Sequence, residues 1–208
     1  MTLWPMVHAE RAALGLDLDA LETKAWTGPT LCGRWSVEEV VAHLTAAAST
    51  GRLRWLASMV VARFDAARHN QRRLAEHRGP GPAGTLAGFH RIVTSTTAAS
   101  GHTPAWLGEV IVHAQDIRRP LGIDRAPDIA AATEVARFYA SRDFAVPSRT
   151  AGTGLRLEAT DGPFTTGAGP LVSGPTLALV MALAGRTVYC DDLDGDGVAL
   201  LRSRGTAG

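Results

Sequence analysis

Residues 79–84 read GPGPAG, three glycines and two prolines in six positions. No α-helix runs through such a stretch, because proline lacks the N–H of the i→i−4 bond and its ring clashes with the preceding turn, while glycine gives up the most backbone freedom. Similar punctuation recurs in WTGPTLCGR at 26–34, built on Gly28 and Pro29, and again at Pro120 and Gly122. Between these breaks the apolar residues recur with helical rather than alternating spacing. Residues 5–25 carry an amphipathic pattern weakened by Gly15. In RWSVEEVVAHLTAAAS, Ser36 is a cap, Glu39 completes a capping box, and Trp35 is placed to staple against Val40, which predicts a helix from about 37 to about 49. A long helical stretch follows from roughly 52 to 77, then TLAGFHRIVTSTTAAS. Thr103 reads as the cap of a further helix with Pro104 in its first position, ending near Arg119. Residues 1–122 thus supply at least four helices on short loops, and a four-helix bundle is the natural way to bury their faces.

The pattern changes in residues 123–208. A helix over 128–144 leads into GLRLEATDGPFTTGAGPLVSGP, whose alternation around Asp161-Gly162 predicts a β-hairpin. Pro175–Ala184 reads as a helix closed by Gly185, and GVALLRSR as a last short one. The expected fold is therefore α+β: a helical bundle, 1–122, followed by a small α/β domain, 123–208.

Composition narrows the partners. Apolar residues make up 46% and charged residues 20% of the 208 positions, and the uncharged stretches hold too much Gly, Ser and Thr to span a bilayer. The start, MTLWPMVHAERAALG, lacks the basic, apolar and small-residue sections of a signal peptide, so a cytoplasmic protein is expected. Net charge of +1 gives no general attraction to nucleic acid. The local cluster RFDAARHNQRRLAEHR, with Arg63, Arg68, Arg72, Arg73 and Arg78, spreads around a helix with no interleaved aromatics and reads as a solvated face. Cys32 and Cys190 fit no disulfide or zinc spacing and are expected to be free thiols.

Chemistry concentrates in GEVIVHAQDIRRPLG, residues 108–122. Glu109, His113 and Asp116 fall four and three residues apart, on one face of a helix flanked by Trp106 and Ile117. A carboxylate on such a partly buried face is costly unless it is paired or bound to a cation. His43, aligned with Val40 and Ala47 on its own helix, also points toward a bundle interior. Two imidazoles and a carboxylate from facing helices make three protein ligands and leave a divalent ion an open position; zinc suits that donor set best. Spacing alone favours an ordinary polar stripe and hydrogen-bonded core histidines over a metal site. The acidic run DDLDGDGVALLRS lacks the glutamate of a calcium loop, having Ser203 at the twelfth position from Asp192, and GAGPLVSGP has neither phosphate-loop nor dinucleotide spacing.

Three segments, PTLCGRWSVEEVVAHL, GEVIVHAQDIRRPLG and TDGPFTTGAGPLVSGPTLALVMALAGR, together resemble the mycothiol-dependent maleylpyruvate isomerase family within the DinB-like metal-binding superfamily. The resemblance runs in order along nearly the whole chain. It implies a DinB-like helical bundle with a small C-terminal α/β domain, and a metal held by His43, Glu109 and His113; Asp116, one turn from His113, is then expected to orient a ligand or water, or to be a polar contact on the helix face. It further implies a metal-dependent enzyme that uses mycothiol as a metal-bound thiolate nucleophile, either adding to the cis double bond of maleylpyruvate and leaving after rotation, or remaining on an electrophile as in an S-transferase. The expected partners are a small-molecule electrophile or maleylpyruvate-like substrate, without nucleic acid or membrane, on a monomer or homodimer. Arg186 and Arg202 are candidates to meet a carboxylate of substrate or thiol. A hydrolase activating water at the same metal and a non-catalytic metal-binding module are the alternatives. Gly33-Arg34 stands where a Pro-Gly pair is common in the family, in a loop that carries no ligand.

Overall fold

The computed structural model describes residues 2–33, 35–52 and 66–205, with side chains in the third stretch described from residue 72 onward. Arg34, Arg63 and the side chain of Arg68 lie outside the described residues, as do positions 53–65 of the helix expected over 52–77. The chain divides into two compact units, Met1–Ile123 and Asp124–Gly208. Helices with a single three-stranded sheet make the fold α+β, the class that the sequence pattern predicts. No helix among the described residues is long and apolar enough to cross a membrane.

The first unit contains α1 (Trp4–Asp19), a 3-10 turn (Thr23–Thr27), α2 (Val37–Ser49), α3 (Ala66–His77), α4 (Pro82–His90) and α5 (Thr103–Arg118). Its core draws Leu14 and Leu18 from α1, Val37, Val40, Val41, Leu44 and Ala48 from α2, Phe89 from α4, and Ala114 and Ile117 from α5, closed by Trp26 and Ile92. The capping box forms as expected: Ser36 accepts from the Glu39 backbone N–H, and Glu39 reaches back to the Ser36 N–H at 2.9 Å. That reciprocal bond sets where α2 begins and so which of its residues face the core. Trp35, ahead of the cap, does pack against this core, but its ring also lies 4.9 Å from the His43 ring. Thr103 differs from expectation. It is the first residue of α5, His102 occupies the cap position without a side-chain bond, and Pro104 follows in the first turn. A proline near the start of a helix tolerates the missing donor, so the helix begins without a cap.

The basic stretch is less solvated than predicted. Arg73 is 5% exposed and bonds Glu76 and Thr50, and Arg78 donates twice to the buried carboxylate of Glu38, at 2.7 and 3.0 Å. Burying a guanidinium costs less when a carboxylate and a hydroxyl accept from it, as Glu76 and Thr50 do from Arg73.

The second unit contains α6 (Ile129–Ser141), α7 (Ser148–Gly152), β1 (Arg156–Ala159), β2 (Thr165–Thr166), β3 (Leu171–Gly174), α8 (Thr176–Leu183), a 3-10 turn (Thr187–Asp192) and α9 (Val198–Arg204). The predicted hairpin is present as β1 and β2, antiparallel, but β3 then pairs with β1 in parallel, giving the order β2-β1-β3. Asp161 does not serve a tight turn. Its carboxylate accepts from the backbone N–H and hydroxyl of Thr176, at 2.8 and 2.6 Å, and so satisfies the start of α8. The all-apolar TLALVMAL of α8 is buried over nearly its whole length, as a helix without a polar face must be. GAGP owes its glycines to backbone crowding: Gly167 and Gly169 hold φ of 77° and 125°, and a Cβ on either would lie 2.2 Å from a carbonyl oxygen.

Candidate functional site

Two helices of the first unit bring the polar residues together. The capped start of α2 turns His43 toward α5, where Glu109, His113 and Asp116 occupy successive turns of one face. His43 Nε2 lies 2.7 Å from Glu109 Oε1, and His113 Nε2 lies 3.7 Å from the same oxygen. The two imidazoles meet edge to face, with centroids 5.0 Å apart. One carboxylate oxygen therefore sits between two imidazole nitrogens, in a site where the three side chains are 14%, 23% and 11% exposed. The ligand atoms of His43, Glu109 and His113 all lie within 4.8 Å of one another.

These distances suit a small divalent cation. Bonds of about 2.0–2.1 Å at tetrahedral angles separate ligand atoms by roughly 3.3 Å. The 2.7 and 3.7 Å separations bracket that value, so modest side-chain shifts convert the cluster into a coordination shell. The donor set also fits: two imidazoles and one carboxylate from opposing helices leave a further position open.

Asp116 fixes the orientation of His113. It is fully buried and lies 2.9 Å from His113 Nδ1, so the imidazole N–H is drawn to that side and Nε2 is left facing His43 and Glu109. Burial alone would lower the pKa of His113. The hydrogen bonds of Asp116 and Cys32 and the charges of Glu109 and Asp116 oppose it and push the value up to about 10. Without a cation, the site therefore holds a proton on this imidazole near neutral pH. A metal entering must displace that proton, which makes its binding pH-dependent.

Two participants escaped the sequence reading. Cys32 is a free thiol, as expected, and it also hydrogen-bonds His113, its sulfur joining His113 and Asp116 in a second group of possible ligand atoms within 4.8 Å. The loop is pinned there because the Leu31 N–H donates to the Asp116 carbonyl at 3.0 Å. Nothing local to CGR announces that pairing, since it spans more than eighty residues. Arg11 did leave a signal. It occupies the stripe of α1 formed by Val7, Leu14 and Leu18, where an arginine is out of place, and it is 5% exposed. Its Nη1 donates to the carbonyls of Ile92 and Ser95 at 3.1 and 2.8 Å. Burial lowers its pKa to about 10, and the negative charge of Glu109 works against that fall.

Nearby, the fully buried Arg118 donates from Nε to the Asp17 carboxylate at 2.8 Å, and its Nη2 forms an ion pair with the same oxygen at 2.7 Å, tying the end of α5 to that of α1. The other candidate arginines belong to the second unit. Arg202 pairs with Asp191 at 2.7 Å, and Arg186 donates to the Ala184 carbonyl at 2.8 Å.

Residues 7–106 match the family described as the mycothiol maleylpyruvate isomerase N-terminal domain. The match includes His43 and ends just before Glu109, His113 and Asp116. No curated protein matches the chain. Among solved structures, the crystal structure of the mycothiol-dependent maleylpyruvate isomerase is similar at 16% identity, and that of its histidine-to-alanine mutant at 15%. Each has a TM-score of 0.61, with 93% of this chain and 91% of the other covered. At such identity the likeness is one of fold.

Proposed function

Because residues 7–106 match the model of the mycothiol maleylpyruvate isomerase N-terminal domain, we propose that this chain is a metal-dependent, thiol-using enzyme that isomerises maleylpyruvate or a closely similar cis-unsaturated diacid. The observation that carries the reading is the carboxylate of Glu109 set between the imidazoles of His43 and His113 in a largely buried cluster. His43 Nε2, Glu109 Oε1 and His113 Nε2 would hold a divalent ion, with zinc the best match to these donors. Such an ion, when bound, supplies the Lewis acidity that brings a thiol's pKa down toward neutrality.

The chain's own residues supply the rest. Asp116 keeps the Nδ1 proton of His113 and so reserves Nε2 for coordination. The single carboxylate leaves a dication undercompensated by one charge, which favours an anionic sulfur over a neutral one at the open position. The Trp35 ring lies against the His43 ring and restricts its rotation. Mycothiol is the thiol that the family's description supports, and isomerisation rather than permanent transfer is the outcome expected.

Elemental analysis of the purified protein beside the His43→Ala and Glu109→Ala variants tests the ligands: near-stoichiometric metal is expected in the parent and little in either variant. Maleylpyruvate is then followed with and without mycothiol. Thiol-dependent conversion to the trans isomer, with the thiol recovered, supports the reading. Turnover without added thiol would point to water as nucleophile, a thiol retained on the product would point to a transferase, and unchanged metal content in both variants would sink the site.

A further inference from the structure

On α1, residues Trp4, His8 and Arg11 follow one another along one stripe, four and three residues apart, and α1 packs against α5, which carries Glu109. The guanidinium of Arg11 is buried, yet only Nη1 is engaged, by the carbonyls of Ile92 and Ser95. Nε and Nη2 meet no hydrogen-bond partner among the described residues, although the charge of Glu109 acts on this group. One turn earlier, the ring of His8 stacks beside Trp4 with centroids 6.0 Å apart, and its buried Nε2 also has no partner. An orphaned polar nitrogen such as His8 Nε2 is costly in a protein interior, and beside it Arg11 keeps Nε and Nη2 unengaged among the described residues, so this stripe of α1 has donors to offer an acceptor.

A carboxylate meets that demand. The fork of an arginine binds two oxygens at once, and an adjacent imidazole N–H donates a third bond. We propose that His8 and Arg11 form a carboxylate-recognising subsite beside the candidate metal centre, which holds one acid group of a dianionic substrate while the other end of the molecule reaches the cluster of His43, Glu109 and His113. The role that the sequence suggested for Arg186 or Arg202 then falls to an arginine of the first helix. The inference rests on the proposed enzymatic reading for its substrate, and its own content is anion recognition at α1.

Titration calorimetry of maleate into the intact zinc-supplemented protein tests it, with the uncharged diamide maleamide as control and zinc content measured for every variant. The parent should bind maleate and not maleamide. Arg11→Lys, which keeps the charge and loses the fork, should weaken maleate by about tenfold, and Arg11→Met by more. His8→Phe keeps the stacking on Trp4 and the Arg11 clamp and removes only the orphan nitrogen, so it should weaken maleate several-fold with zinc content unchanged. Should Arg11→Met fail to fold for want of its bonds to Ile92 and Ser95, His8→Phe and Arg11→Lys decide the matter. Equal maleate affinity in those two variants and the parent, equal binding of maleamide, or no maleate binding by the parent would each overturn the subsite. The titration involves neither thiol nor turnover, so selective maleate binding without isomerase activity would refute the enzymatic reading and leave the subsite standing.

Discussion

The proton on His113 gives the metal-free protein a stability that depends on pH in a defined direction. The pKa of this buried imidazole rises from its ordinary 6.5 to about 10 in the folded chain, chiefly because Asp116, Cys32 and Glu109 outweigh the effect of burial. The folded state binds this proton more tightly than the unfolded state. Its contribution is therefore fully present below about pH 6.5 and lost as pH rises toward 10. One proton corresponds to ~1.4 kcal/mol per pH unit, so the interval from 6.5 to about 10 is worth ~5 kcal/mol, of which ~2 kcal/mol disappears between pH 7 and 8.5. Urea denaturation in the presence of a chelator measures this. All five tryptophans lie within the first 106 residues, so their fluorescence reports on the unit that contains the site. The parent and His113→Gln, which cannot charge, are compared at pH 6.5, 7.5 and 8.5 at one ionic strength. The difference in their stabilities should shrink by about 1 kcal/mol from pH 6.5 to 7.5, where the unfolded imidazole is still partly protonated, and approach ~1.4 kcal/mol for the next pH unit, with m values unchanged. Parallel curves, or a parent that gains stability on the variant as pH rises, would refute the protonated state assigned to the cluster.

Other perturbations have equally definite outcomes. Asp116→Asn should narrow that pH window and, in metal titrations, weaken binding by about 10- to 100-fold, because the neutral amide orients His113 less firmly. Ser36→Ala removes half of the capping box and should cost ~1 kcal/mol in the same tryptophan-monitored denaturation. Asp17→Ala leaves the fully buried Arg118 without its carboxylate and should cost about 3–5 kcal/mol, with Arg118→Met in the same chain recovering much of the loss.

Helical spacing was enough to place Glu109, His113 and Asp116 on one face, since residues three and four apart share a side whatever surrounds the helix. The cap at Ser36 was equally readable, because its bonds close within four residues. The hairpin was half visible. Alternation announced β1 and β2, whereas the parallel pairing of β1 with β3 is a long-range bond pattern, and Asp161 was drawn away from the expected turn by the unsatisfied N-terminus of α8. The basic stretch misled for a similar reason. Charge alone suggests solvent, yet Arg73 and Arg78 are held by Thr50, Glu76 and Glu38, two of them on other segments.

Local commitments were written into the order of residues: where helices start and stop, which residue types each face offers, and that one helix carries a carboxylate between polar neighbours at ligand spacing. Tertiary packing alone decided what those faces meet. It brought His43 to 2.7 Å from Glu109, set Cys32 against His113, and buried Arg11 with Nε and Nη2 unengaged among the described residues. The physical reason is range. Capping and periodicity act over one or two turns, whereas burial, pKa and ligand geometry depend on atoms contributed from tens of residues away.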